Sequence, residues 1–284
     1  MASSELFTQR LENLRQKLSA TGVDIAVITD DDSVYYYSGY YGYLHMDFGR
    51  PTLLVIAAEG ETVLITPTME QSLAESLAVV DRIELWNDGM GAEWRESLSG
   101  LLGETAAIGI EPDLIPPPVR TFIDSIVAPK RYRDLTPIVS EMRMIKSQDE
   151  LKIARHAGEV GIAMMEAGRS AIKEGVAEYE VALAATTAGT HKAAELLRTH
   201  YAGSQMSPSI HFMQILASGQ EITMTHHRAS TKALKYGEPV FLCFCGMTEF
   251  HRFKLGFDRT FWIGEVGDRS QEAAYQTAVD SQTA

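Results

Sequence analysis

The sequence has little cysteine and no long apolar run. Its two cysteines, Cys243 and Cys245, stand one residue apart and cannot crosslink distant segments, so a reducing cytoplasm is the simplest setting. No stretch approaches the roughly 18 to 20 consecutive apolar residues of a membrane helix. The start, Met-Ala-Ser-Ser-Glu, lacks the basic and then apolar pattern of a secretory signal peptide. We therefore expect a soluble, cytoplasmic protein.

Basic residues are scarce relative to acidic ones. Lys and Arg number 25 against 38 Asp and Glu, which leaves a formal net charge of −13 over 284 residues. This balance argues against a protein that binds nucleic-acid phosphates. Apolar residues make up 45% and charged residues 22%, an ordinary globular composition that can bury a core. The length is typical of about two domains, and no internal repeat is visible.

The first half of the chain alternates between helical and strand-like patterns. Apolar residues at helical spacing predict a first helix over about 7–18, and a buried strand follows over 24–29. Two apolar runs flank Glu59-Gly60-Glu61, which is typical of a hairpin. Further strands are expected over 82–86 and 106–110, and helices over 69–77, 93–102 and 119–126. The alternation predicts an α/β or α+β domain with a mixed central sheet.

A cluster of prolines, from Pro112 to Pro137, marks a seam in the chain. We place the domain boundary near residue 140, which gives domains of 1–140 and 141–284.

The second domain begins with helices and continues with strands. Ser147-Gln-Asp-Glu150 has the form of a capping box and predicts a helix to about Gly168. A second helix is expected from about Tyr179 to Leu197, and strands are expected over 215–218, 239–245 and 250–263. This layer is incomplete as a folding unit, so we expect a longer native chain or a partner that completes it.

Histidine offers the first candidate for chemistry. The pair His226-His227 follows Ser218-Gly219 in a polar stretch before a strand. A loop histidine suits a general base because its pKa lies near neutrality. An exposed pair without a role is the alternative, and the spacing alone favours it. His251 is expected to face solvent from a strand.

An acid and two thiols lie in the later strands. Asp258 precedes Arg259 in an otherwise apolar strand, where a carboxylate is costly to bury unless it is paired or used. A local ion pair with Arg259 or an exposed edge position is the alternative. Cys243 and Cys245 share one strand face and have the chemistry to hold a soft metal, but the pattern favours buried apolar thiols.

An unusual aromatic run lies in the first domain. Tyrosines between Tyr35 and Tyr43 are interrupted by glycines, and Phe48-Gly49-Arg50-Pro51 follows. We interpret the segment as a loop that forms an interface or a ligand clamp, with core packing as the alternative. Arg50 argues against a simple core, because an arginine needs an anionic partner and only Asp47 lies near it in sequence.

Taken together, these residues resemble creatinase and its relatives in the pita-bread family, which includes prolidase and aminopeptidase P. The Arg-Met-Ile-Lys-Ser sequence before a capped helix is a specific feature, and Phe-Gly-Arg-Pro indicates the creatinase branch. The matching segments are Tyr36–Gly39, Phe48–Pro51, Ile108–Glu111, Met142–Ser147, Glu178–Leu183, Ser218-Gly219, His226, Gly237-Glu238 and Asp258–Phe261. The resemblance implies an N-terminal creatinase/prolidase-type domain followed by an incomplete pita-bread catalytic domain.

The resemblance also indicates whether the residues that bind metal in the relatives are present in this chain. Metal-dependent relatives carry one aspartate two residues before a glycine and another three residues before an Arg-Thr-Phe-like motif. Phe244 and Gly256 occupy those places here. Neither residue can bind a hard divalent ion, which needs oxygen or imidazole donors. The resemblance therefore implies a protein without a metal or other cofactor, as in creatinase.

The site roles come from the same resemblance. His226 falls on the catalytic histidine, and Asp258 falls on a substrate-binding glutamate that is one methylene longer. Phe48 and Arg50 fall on residues that reach into the neighbouring subunit and hold the substrate carboxylate. The resemblance thus implies a homodimer whose sites are completed across the interface, and a small guanidino-acid-like substrate. From the acidic charge and the lack of a long apolar run, we expect no nucleic-acid or membrane partner. His226 would move protons while water attacks the amidino carbon.

Three functions remain open at this point. The first is a metal-independent hydrolase of a C–N bond in a small cationic or zwitterionic substrate. The second is a metal-dependent Xaa-Pro aminopeptidase or dipeptidase with unusual ligands, such as Cys243 or Cys245 with His226 and Asp258. The third is a catalytically silent fragment or binding homologue, because the family's remaining site residues would lie beyond residue 284.

Overall fold

The computed structural model describes residues 4–42, 50–104, 106–202, 206–209, 215–244 and 248–283. The chain divides into two units, Met1–Asp149 and Glu150–Ala284. The boundary expected near residue 140 falls inside a helix, Thr136–Met144, which has Pro137 in its first turn. Proline suits a helix start because its fixed φ is helical and its missing N–H has no partner there in any case. The helix ends at Met144, and the division between the two units comes after it, between Asp149 and Glu150.

The first unit contains the helices and strands that the sequence patterns predict, and also α2, α6 and β6, which the patterns miss. The helices are α1 (Ser4–Thr21), α2 (Asp31–Ser38), α3 (Gln71–Leu77), α4 (Trp94–Leu102), α5 (Pro117–Ile126) and α6 (Thr136–Met144). The strands are β1 (Ile25–Ile28), β2 (Leu53–Ala57), β3 (Thr62–Pro67), β4 (Arg82–Trp86), β5 (Ile108–Ile110) and β6 (Tyr132–Asp134).

These strands form one mixed sheet in the order β4-β3-β2-β1-β5-β6. The pairs β1–β2 and β2–β3 are antiparallel, and the other neighbouring pairs are parallel. Side chains alternate across the sheet: Ala26 and Ile28 join one apolar cluster, and Val27 joins another. The first cluster includes α1 residues and the second includes α4 and α5 residues, so helices cover both faces. The predicted α/β class with a mixed central sheet is confirmed.

The tyrosine run lies mostly in helix α2, so its interpretation as a loop is wrong for Tyr35 to Tyr37. Asp30 caps the helix by accepting a hydrogen bond from the Ser33 N–H at 3.0 Å. Gly39 ends it with φ +71°, where a Cβ would meet the Phe7 ring at 2.8 Å. The glycine thus ends a two-turn helix rather than interrupting a longer one, and the Tyr37 ring is fully buried in the core. Phe48 lies outside the described residues.

Within its described residues, the second unit contains two long helices, a shorter one and two small sheets. The helices are α7 (Gln148–Ala171), α8 (Glu178–His200) and α9 (Arg269–Thr283). The strands are β7 (Ile215–Ser218), β8 (Pro239–Cys243), β9 (Thr248–Phe250), β10 (Phe253–Leu255) and β11 (Asp258–Trp262). One sheet is antiparallel with the order β11-β8-β7, and the other is the β9–β10 hairpin. No helix in the described ranges is both long and apolar enough to cross a bilayer.

The single strand predicted over 250–263 is wrong, because a tight turn divides it. His251 and Arg252 have φ values of +51° and +62°, and Phe250 pairs with Phe253 across them. This is the geometry of a two-residue hairpin turn, which usually takes asparagine or glycine at these positions. The sequence carries neither residue here, so no turn signal is visible in it.

The side chain of His251 is buried, contrary to the expectation that it faces solvent. Only 4% of the residue is exposed, and its ring lies 4.3 Å from the Tyr201 ring between centroids. The Tyr201 hydroxyl lies 2.7 Å from Nδ1 of His156, whose ring stacks on His200. Burial lowers the pKa of His251 to about 3 and also lowers the pKa of His156. These buried histidines are therefore neutral at pH 7.

We expect the free energy of unfolding to fall as the pH drops from about 6.5 towards 3. An unfolded chain protonates histidine near pH 6.5, whereas folded His251 resists protonation down to about pH 3. Between these values each pH unit should cost about 1.4 kcal/mol for this group, and above pH 6.5 the contribution is constant. Urea unfolding at several pH values measures the slope. His251→Phe should flatten it, and His191→Gln on an exposed position of α8 should not; an unchanged slope in His251→Phe contradicts the assignment.

Candidate functional site

The strands of the second unit place Cys243 and Asp258 side by side. Strand β8 pairs with both β7 and β11, and Cys243 lies opposite Asp258 in the β8–β11 register. The Cys243 side chain is buried, as the sequence favours, whereas Cys245 lies outside the described residues. Asp258 is exposed on an edge strand. The Arg259 guanidinium donates to the Asp258 carbonyl oxygen at 2.6 Å and not to its carboxylate, so the edge position rather than the local ion pair is observed.

The two neighbouring histidines differ in their surroundings. His226 is exposed in a turn after the 3₁₀ segment Gly219–Thr223, and within the described residues it forms no hydrogen bond. His227 is partly buried, and its Nδ1 lies 2.9 Å from the Leu216 carbonyl oxygen. Because a carbonyl only accepts, Nδ1 must carry the proton that joins them. The backbone pairs the same residues, since the Leu216 N–H donates to the His227 carbonyl at 3.3 Å.

A buried carboxylate beneath this turn is the main feature that the sequence does not reveal. Glu178, the first residue of α8, is fully buried. Its Oε1 accepts from the Ser218 hydroxyl at 2.7 Å, and its Oε2 accepts from the Ser230 N–H at 3.0 Å and the Ser230 hydroxyl at 2.6 Å. We refer to Glu178, Ser218 and Ser230 as the carboxylate clasp. Its Oε2 also lies 3.9 Å from Nδ1 of His227.

Lys232 also contacts the residues next to the carboxylate clasp. The Lys232 ammonium donates to the Ser218 carbonyl at 2.7 Å and pairs with Glu221, and it lies 3.7 Å from Glu238. The bond from Lys232 lowers the pKa of Glu221. Gly219 has φ +59°, and a Cβ there would meet the Glu238 carboxylate at 2.8 Å. The left-handed backbone at this position therefore favours glycine.

In the first unit, Arg50 has an anionic partner within its own chain. Its Nε lies 2.8 Å from Oδ2 of Asp88 in an ion pair that is partly exposed on both sides. Asp88 is remote in sequence, so proximity along the chain does not identify it. Exposed pairs of this kind contribute about 0 to 1 kcal/mol, because water screens them. Arg50 thus remains available to another anion at little cost.

The described residues do not fit a dinuclear metal centre. Phe244 is fully buried and its ring packs edge-on against Phe257, with the centroids 5.2 Å apart. Gly256 offers no side-chain donor. Over the ranges that the structure describes, no group of three or more His, Cys, Asp or Glu side chains is placed to hold a metal ion. Likewise, no hydrogen bond or ion pair in these ranges joins His226 to Asp258.

Comparison with known proteins covers nearly the whole chain. Residues 10–145 match the Creatinase/Prolidase N-terminal domain, and residues 152–284 match Metallopeptidase family M24. Similar curated proteins include an agropine synthesis cyclase from Rhizobium rhizogenes (23% identity over 92% of this chain and 67% of the relative). They also include a creatinase from a Bacillus species (25%, over 95% and 63%) and an Xaa-Pro dipeptidase from Pyrococcus furiosus (24%, over 96% and 70%). The chain thus spans about two thirds of the length of these relatives.

The solved structures support the same fold. The prolidase from Pyrococcus horikoshii OT3 superposes with a TM-score of 0.78 at 21% identity, over 97% of this chain and 70% of the other. An X-Pro aminopeptidase from Thermotoga maritima gives 0.72 at 23% identity, over 92% and 67%. At this level of identity the likeness shows the fold alone. The predicted pita-bread architecture with an N-terminal creatinase-type domain is confirmed.

Proposed function

Because the chain belongs to the family that joins a creatinase/prolidase N-terminal domain to an M24 domain, we propose that it is a creatinase-like hydrolase of C–N bonds. The proposed substrate is a small cationic or zwitterionic molecule of the guanidino-acid type, and the proposed reaction uses no metal. The observation that carries this proposal is the packing of Phe244. By the family resemblance, this buried phenyl ring stands where metal-dependent relatives place an aspartate ligand.

In this proposal His226, Asp258 and Arg50 have separate roles that follow from their charge, and Phe48, which lies outside the described residues, assists one of them. The exposed imidazole of His226 accepts a proton from the attacking water and returns it to the leaving nitrogen. The exposed carboxylate of Asp258 binds the cationic end of the substrate. Arg50, with Phe48, binds the substrate carboxylate from the other subunit of a homodimer, and its guanidinium exchanges Asp88 for this anion.

A metal-dependent Xaa-Pro dipeptidase is the second candidate. The M24 match over residues 152–284 and the 24% identity to the Pyrococcus furiosus dipeptidase support it about as well. Another relative is named as an agropine synthesis cyclase, so the proteins similar to this chain are not all peptidases. The candidate requires ligands other than the two aspartates, and the described residues do not bring three such groups together.

We expect the purified protein to bind no stoichiometric zinc, manganese or iron, because Phe244 and Gly256 lack donors for a hard ion. Native mass spectrometry or elemental analysis measures the metal content. Turnover of guanidino acids should survive a chelator, and proline dipeptides should not be cleaved when manganese is added. One metal ion per chain, together with dipeptide cleavage that depends on it, would establish the dipeptidase instead.

A further inference from the structure

One buried carboxylate holds both ends of the turn that carries His226. Ser218 ends β7 just before the turn, Ser230 follows it, and both donate to Glu178. The backbone of α8 adds two bonds, since the N–H of Glu178 donates to Lys232 O and the N–H of Tyr179 donates to Ser230 O, each at 3.0 Å. The carboxylate clasp therefore fixes where the loop of residues 219–229 leaves and rejoins the domain.

The surroundings of Glu178 hold its carboxylate in place. The residue lies at the first position of α8, where the helix dipole favours negative charge. Both carboxylate oxygens accept bonds, and Oε2 accepts two of them. Hydrogen bonds to a charged group are stronger and more directional than those between neutral groups. A buried acid with these donors is an anchor and not a solvated surface group.

Within the loop, His227 transmits this anchoring to His226. The His227 side chain and carbonyl both bond to Leu216, on the edge strand β7 of the sheet, and its Nδ1 lies close to the Glu178 carboxylate. Because His227 is bonded to the edge strand, the backbone of the preceding residue, His226, is held in place as well. His226 is exposed in the turn.

We propose that Glu178 is a positioning residue for His226, acting through Ser230 and His227 to hold the turn of residues 224–227 in one conformation. The inference rests on the proposed function only in giving His226 the proton-transfer role. The anchoring itself is a property of the described geometry. A purely structural Glu178 would stabilise α8 and leave the loop and the turnover number unaffected.

The matched pair Ser230→Ala and Ser230→Thr tests this role. Threonine keeps the hydroxyl from which Glu178 accepts a hydrogen bond, and alanine removes it. Amide hydrogen exchange of residues 219–230 in the full chain is the first readout. Ser230→Ala should speed this exchange at least fivefold and leave α7 unchanged, and Ser230→Thr should restore it. In turnover of guanidino acids, Ser230→Ala should lower kcat at least fivefold with KM within twofold.

Glu178→Gln provides a second test, and Glu180→Gln provides its control. Glu180 lies in the same helical turn but is exposed and caps the Ala177 N–H. Loop exchange should rise at least tenfold in Glu178→Gln and should not rise in Glu180→Gln. Unchanged loop exchange in both Ser230→Ala and Glu178→Gln overturns the proposal, as does equal acceleration in Glu180→Gln.

The two proposals fail in different ways. Should the wild-type chain turn over no guanidino acid, the proposed function fails, and the exchange measurements still decide whether Glu178 anchors the turn. Should turnover occur and Ser230→Ala leave kcat unchanged, the positioning role fails and the proposed function stands. If Glu178→Gln does not fold, the serine pair decides alone.

Discussion

Replacing His226 with alanine is expected to lower turnover roughly a hundredfold or more, the usual scale for a general acid–base group. The loss should appear in kcat, because the exposed imidazole is proposed to move protons and not to bind the substrate. Stability should change by no more than about 0.5 kcal/mol, since His226 forms no hydrogen bond within the described ranges. Steady-state kinetics and urea unfolding of the same preparation separate the two effects.

The neighbouring histidine is the natural control for this experiment. His227→Ala removes the bond from Nδ1 to the Leu216 carbonyl and should lower the free energy of unfolding by about 1 kcal/mol. The effect of His227→Ala on turnover should be much smaller than that of His226→Ala, because the His227 side chain only holds the turn in place. Equal losses in the two variants, or a loss only in His227→Ala, would show that proton transfer has been assigned to the wrong histidine.

The second large effect concerns Arg50 and assembly. If Arg50 of one subunit serves the site of the other, chains with Arg50→Ala and chains with His226→Ala should complement each other. Each hybrid dimer would contain one site with both residues intact. Random pairing should then restore roughly a quarter of wild-type activity, although neither parent is active. Co-expression with two affinity tags isolates the hybrids. Isolated hybrids without activity would show that Arg50 does not act across an interface.

Two further variants distinguish substrate binding from local structure. Arg50→Lys should raise KM strongly, because a point charge replaces a bidentate fork. Asp88→Asn removes the same ion pair but keeps the guanidinium, so it should leave KM near the wild-type value. If Asp88→Asn raises KM as much as Arg50→Lys does, then Arg50 affects KM through the ion pair within its own chain and not by binding the substrate.

Much of the fold follows from local patterns. The apolar spacing of α1 and the hairpin glycine between β2 and β3 report backbone conformation directly, because each depends on neighbours a few residues away. The mixed sheet and the family resemblance follow from the order of such segments and from short motifs. The errors fall where local signals mislead: Gly39 in the tyrosine run ends a helix, and the turn at His251 carries no turn residue.

The candidate site could be predicted only in part from the sequence. By itself, the sequence determined the α/β class, the acidic character, the placement of His226 in a loop and the lack of donors at Phe244 and Gly256, because these depend on residue type and order. Only the tertiary structure decided that Glu178 is fully buried whereas Glu180, two residues on, is exposed, and that Arg50 pairs with Asp88. The reason is physical. Periodicity records which face of an element is apolar, but the partners of a charged side chain come from segments that only folding brings together.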